Sequence, residues 1–145
     1  MNPVFEVIAC VLCEEIRQEA SGQSILVGAQ NRGPSVNVED ITTLSRIAFY
    51  IEAKVRGVER AKFRFVNSQS NEVAFEDGFD LPIADELKSR NVDDWTKVEA
   101  MLQLSINMVD IDIPRSGNYK LQVSFDSMEW ADVREYLFPA LHAED

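Results

Sequence analysis

A chain of 145 residues, 46% hydrophobic and 27% charged, is long enough for one domain burying roughly 68–70% of the surface its unfolded form exposes, which excludes a disordered chain. The formal net charge of −11 repels phosphate backbones and anionic head groups, so nucleic acid and membrane surfaces are disfavoured as partners. No window approaches the roughly 18 apolar residues of a membrane helix, and the opening Met1-Asn2-Pro3-Val4-Phe5-Glu6 has no basic leader region, so a cytoplasmic protein is expected.

Phe5 through Leu12 is apolar on both faces, as a strand covered on both sides would be. Cys10 and Cys13 lie three apart on that strand, so their side chains point to opposite faces and are poorly placed to bridge each other. Glu14 to Glu19 runs into the turn Ser21-Gly22-Gln23, and Ser24 to Ala29 resumes an apolar run, which predicts a hairpin. Residues 31–43 mix Gly33, Pro34, Asn37 and Asp40 and read as a long crossing loop.

The clearest period-two signal follows. Ile47, Phe49, Ile51, Ala53 and Val55 alternate with Ala48, Tyr50, Glu52, Lys54 and Arg56. Ala61, Phe63 and Phe65 repeat the pattern against Lys62 and Arg64, and Gly57-Val58-Glu59 is short enough for a hairpin connection. Residues 83–97 hold Ile83, Leu87, Val92 and Trp95 among charges and suit a short helix or a structured loop. Ala100, Leu102, Leu104, Ile106 and Met108 then alternate with Gln103, Ser105 and Asn107. After the turn Pro114-Arg115-Ser116-Gly117, Tyr119, Leu121, Val123 and Phe125 alternate with Lys120, Gln122 and Ser124. The tail fits both a helical stripe (Trp130, Val133, Leu137, Leu141) and a closing strand. The strand is preferred, because Phe125 to Met128 reads as the start of a hairpin.

Together these features predict an all-β chain. We expect residues 1–145 to form one antiparallel β-sandwich of about seven to eight strands, with the short helix or structured loop near 83–97. Gly117-x-Tyr119 at the start of a late strand matches the corner tyrosine of immunoglobulin-like sandwiches, so the sandwich is expected to be of that kind.

The opening also resembles a family of small bacterial proteins of unknown function. The resemblance rests on Cys13-Glu14-Glu15-Ile16-Arg17, Glu19, Gly22 and Leu26-Val27-Gly28, with Gly117-x-Tyr119 in a similar late place. It implies a β-sandwich over nearly the whole chain. Its motifs are apolar and turn positions, so it carries no catalytic residue across.

Chemistry-bearing patterns are sparse. His142 is the single histidine, near the end of the chain, and is expected to be a free surface side chain; a histidine triad and a multi-histidine metal site are thereby disfavoured. The chain has no G-x-S-x-G, G-x-x-x-x-G-K-[ST] or G-x-G-x-x-G run. Asp110 and Asp112 share a strand end, and Asp77, Asp80, Asp93 and Asp94 are expected in loops; such carboxylates suit solvated acidic loops better than a calcium site. No catalytic set, metal site or cofactor is assigned.

One patch stands against the acidic background. Lys54, Arg56, Arg60, Lys62 and Arg64 fall on the polar register of the expected central hairpin and form a candidate partner-binding face. The leading expectation is a non-catalytic protein-interaction module in a bacterial or phage setting, with a partner protein acidic at the contact. Two alternatives stay open: self-assembly through edge-strand pairing, giving a homo-oligomer, and a calcium-dependent binding domain.

Overall fold

The computed structural model describes residues 3–126 and 129–141. Ser127, Met128 and His142 lie outside the described residues, so the expectations placed on them have no structural counterpart here.

Seven strands build two facing antiparallel sheets. The first holds β1 (Val4–Cys13), β4 (Thr42–Arg56) and β7 (Glu99–Ile113) in the order β1-β4-β7. The second holds β6 (Val73–Asp80), β5 (Arg60–Asn67), β8 (Gly117–Phe125) and β9 (Ala131–Phe138) in the order β6-β5-β8-β9. A separate hairpin, β2 (Glu15–Gln18) with β3 (Ser24–Val27), lies against the outside of the first sheet. The tail is the closing strand β9, and the expected hairpin around Gly22 is β2–β3.

Alternation explains the core. Ile47, Phe49, Ile51, Ala53 and Val55 of β4 point inward and are buried, facing Ala61, Phe63 and Phe65 of β5 across the sandwich. Phe65 packs on Phe49, Tyr119 and Phe138 with ring centroids 5.2, 5.2 and 5.6 Å away. A smaller cluster forms where Ile16 of the β2–β3 hairpin meets Cys13 and Ala48 on the outer face of the first sheet. Cys10 and Cys13 therefore serve different clusters on opposite faces, and both thiols are free.

The short helix α1 (Pro82–Ser89) and a 3₁₀ turn at Trp95–Lys97 close one end of the sandwich. Proline in the first helical turn lacks the N–H that would be unpaired there anyway, Asp85 suits the helix start, and Lys88 suits its end. At the opposite end Tyr119 makes the expected corner bond back to Arg115.

Two expectations are corrected. Residues 45–56 and 61–65 do not form a hairpin: β4 and β5 belong to different sheets, and Gly57-Val58-Glu59 carries the chain across. Val58 is buried at that corner, and the carboxylate of Asp126 accepts from the backbone N–H groups of Glu59 and Arg60 at 3.2 Å each, holding the turn to the second sheet. Secondly, Asp77 and Asp80 lie within strand β6, not in loops. Its Glu76-Asp77-Gly78 interior breaks the apolar alternation, which an edge strand tolerates because one of its sides faces water.

The connectivity is that of an immunoglobulin-like sandwich. β1, β4 and β7 occupy the places of strands A, B and E, and β5, β8 and β9 those of C, F and G. The difference lies in β6. In the constant-type arrangement a fourth strand pairs with E; here β6 pairs with β5 instead, so among the described residues β7 is the last strand of its sheet.

Candidate functional site

The crossover at Gly57 divides the candidate basic face. Lys54 and Arg56 stand on the first sheet, and Arg60, Lys62 and Arg64 on the second. Because the inward residues of both strands meet in the core, the two groups look out from opposite sides of the sandwich. Lys54 pairs with Glu99 at 3.3 Å, while Arg56 lines the narrow space beneath α1 with Leu87 and Trp95.

On the second sheet the three remaining cations are interleaved with acids. Arg60 pairs with Asp80 at 3.5 Å. Arg64 donates to the Oε1 of Gln122 at 2.7 Å and stacks on Trp130, its guanidinium 4.3 Å from the ring centroid. Gln122 in turn donates to Asp132 at 2.7 Å. The Lys62 ammonium makes no hydrogen bond or ion pair among the described residues. A shallow concavity of about 530 Å³ runs past Arg60, Lys62, Glu76 and Trp130, its charges of both signs mixed.

A second cavity, about 330 Å³, opens beside the β2–β3 hairpin between Glu14, Glu15, Gln30 and Arg46. Glu15 there binds Arg17 at 3.2 Å and Arg46 at 3.1 Å, a solvated cluster of ion pairs. Among the described residues no group of three or more His, Cys, Asp or Glu side chains converges on a common point. Asp112 accepts from the Thr43 hydroxyl at 2.6 Å, and Asp94 pairs with Lys97 at 2.7 Å.

The sheet edges differ more sharply than the cavities do. Each open sheet edge presents unpaired N–H and C=O groups, and proteins guard such edges with bulges, charges or covering loops. In β1 the pairing slips between Val7 and Ala9, leaving Ile8 bulged, and Glu6 adds a charge. In β6 the slip leaves Ala74 over, and Glu76, Asp77 and Asp80 follow. In β9 Val133 is the extra residue, among Asp132, Arg134 and Glu135. The 31–43 loop also covers β9: Gly33 donates to the Leu137 carbonyl at 2.7 Å and Val36 to that of Pro139 at 2.8 Å.

β7 has no bulge and no charged residue over most of its length; what rests on it is the β2–β3 hairpin, where the Ile16 N–H donates to Asn107 Oδ1 at 3.0 Å and the Asn107 amide donates to the Ile16 carbonyl at 3.4 Å. Its ladder with β4 runs without a slip from Arg56 opposite Glu99 to Arg46 opposite Val109. Residues 100–109 carry no charged side chain and no proline. Met101 and Val109 stand outward, 59% and 69% exposed, with Gln103, Ser105 and Asn107 between them. The first irregularity is Asp110, in the left-handed region at φ 51°.

The core is also less sealed along this side. Where β1 and β9 meet, Arg134 donates to the Cys10 carbonyl at 2.7 Å and the Tyr136 hydroxyl lies 3.4 Å from the Cys10 thiol, stitching the two sheets together. Among the described residues no hydrogen bond or ion pair links β6 to β7. Phe75 and Phe79 of β6 and Leu102, Leu104 and Met108 of β7 stay half-buried along that seam. A strand laid against β7 would cover it.

Comparison with protein-family models finds no family that matches the chain, and a search of the curated proteins finds no match either. Among the described residues no helix is long and apolar enough to cross a membrane.

The alternation of Ala100 to Met108 marks β7 as a strand but does not by itself distinguish it from the other strands. The usable signal was the ten-residue uncharged run from Ala100 to Val109 in a chain that is 27% charged.

Proposed function

We propose that this protein is a non-catalytic interaction module that docks a polypeptide by strand addition along β7. The observation that carries this reading is the contrast among edges: β1, β6 and β9 each hold a bulge and charged residues, whereas β7 offers an unbroken, uncharged edge beside a half-open core. An added strand supplies main-chain hydrogen bonds along the edge, and its alternate side chains fall on the Leu102–Met108 seam. A cytoplasmic setting belongs to the same proposal and is supported by the two buried free thiols.

The test is selection from a displayed library of random ten-residue peptides. Enriched peptides should be uncharged at their centres, alternate apolar and polar residues, and slow hydrogen exchange within residues 100–109. A Met101→Lys, Val109→Lys double variant should lose them, since both side chains lie on the exposed outer face and can change without disturbing the core. Selection that enriches no peptide, or only peptides insensitive to this variant, overturns the reading.

A second reading keeps the outer face of the second sheet as a docking surface for an acidic partner. Lys62, whose ammonium has no partner among the described residues and which is flanked by Arg60 and Arg64, favours it. Lys54 and Arg56 cannot contribute to that face.

A further inference from the structure

Resting on the strand-addition reading, we infer that the occupant of the β7 edge is β7 of a second copy, paired antiparallel about a twofold axis through Ser105.

A twofold interface requires a surface complementary to itself, because residue i meets j wherever j meets i. For an antiparallel strand this means that the sequence must read acceptably against its own reversal, and β7 does so about Ser105. On the outer face Met101 falls opposite Val109, the two exposed apolar side chains of this strand. Gln103 falls opposite Asn107, polar against polar although the Asn107 amide is held by the Ile16 backbone of its own chain, and Ser105 faces its own copy. On the inner face Leu102 meets Met108 and Leu104 meets Ile106, all apolar. Directly opposed pairs of matched chemistry are the stabilising unit of a sheet. Shifting the axis by one residue, to Leu104 or Ile106, still sets outward side chains against outward ones but breaks the match: Met101 then faces Asn107, or Val109 faces Gln103.

Charge selects the same arrangement. Each copy carries −11, so approach is repulsive over most of the surface and a contact between copies is best placed on an uncharged segment. Residues 100–109 are such a segment. At its ends the twofold sets Glu99 opposite Ile111 and Asp110 opposite Ala100, so no carboxylate directly faces another. The left-handed backbone at Asp110, inside β7, then disrupts further pairing between the copies on both sides. The product is one continuous sheet of order β1-β4-β7-β7-β4-β1, whose outer edges are the bulged β1 strands. Growth stops at two copies, because a bulged and charged edge does not accept a further strand.

The experiment is sedimentation velocity on the full chain and on Ser105→Lys and Ser105→Glu, each alone and mixed in equal amounts. Ser105 is exposed on the outer face, so both variants should match the parent in circular dichroism and melting. The parent should show a concentration-dependent dimer. Each variant alone sets two like charges in direct opposition and should weaken it by about fivefold, and the mixture should restore it through a Lys–Glu pair. A parent that stays monomeric, or single variants that dimerise as well as the parent, overturns the second copy as occupant. If the parent is monomeric yet library peptides bind at β7, strand addition stands and only the identity of the partner falls. If neither occurs, both fall.

Discussion

The phenolic hydroxyl of Tyr119 donates to the carbonyl of Arg115, four residues back, at 2.7 Å, and accepts from the Arg115 N–H at 3.3 Å. The ring itself is fully buried between Phe65 and Phe138. One side chain thereby ties the corner between the sheets to the centre of the core. Tyr119→Phe keeps the ring and strands both backbone groups of Arg115, so it should cost about 1–3 kcal/mol in denaturant unfolding. Unchanged stability would show that water satisfies the corner without the tyrosine.

Gly33 presses on the same core from the loop that covers β9. A Cβ added there would sit 2.5 Å from two ring carbons of Phe138, whose own side is packed against Tyr119 and Phe65. Gly33→Ala should destabilise by about 1–3 kcal/mol, since neither the ring nor the loop can retreat freely. Thermal melting of the variant measures this.

Both thiols should be inert in the native state. Burial pushes the thiols of Cys10 and Cys13 up from their ordinary value, although Tyr136 and Arg134 beside Cys10 oppose the rise there. A thiol-specific reagent at pH 8 should modify neither until denaturant is added, at which point both react. Fast labelling of Cys10 alone would indicate that the β1–β9 seam opens.

Alkaline pH should weaken the fold. Desolvation and the carboxylate of Glu52, which accepts from the Tyr50 hydroxyl at 2.7 Å, push that phenol from 10.0 up to about 12. Burial, followed by the Cys10 contact, raises Tyr136 further. Each phenol holds its proton more tightly folded than unfolded, so this contribution is whole below pH 10 and is lost as pH rises towards 12 and beyond. Absorbance titration should show these two tyrosines ionising late, together with the loss of structure.

Salt separates the two docking readings. Pairing of uncharged strands between copies that each carry −11 should strengthen from 0.05 to 0.5 M salt as their repulsion is screened. An acidic partner held by Arg60, Lys62 and Arg64 should instead be released over the same range. Charge reversals at Lys54 and Arg60 should also act additively on any binding, because they lie on opposite sheets.

The inward register of β4, β5 and β8 was legible because period-two alternation depends only on which face each residue must bury, as Ile47 to Val55 show. The Tyr119 corner was legible because its bond is local, four residues apart. What the chain did not announce was partnership. A three-residue connection such as Gly57-Val58-Glu59 serves a hairpin or a corner equally well, and only the distant Asp126 carboxylate on its N–H groups fixes the corner. The candidate basic face failed at that step. β6 was missed because its interior acids suit an edge, and edge position is a property of the whole topology. The edge position of β7 was hidden for the same reason, since it follows from where β6 pairs; only the uncharged run from Ala100 to Val109 marks the strand in the sequence.

The most direct measurement is hydrogen exchange along residues 99–113 at low and high protein concentration. Strand addition by a second copy predicts that alternate amides of β7, those turned away from β4, gain protection as concentration rises while β1, β6 and β9 stay unchanged. Protection that never changes in β7, or that appears at β1 or β6 instead, would contradict the account.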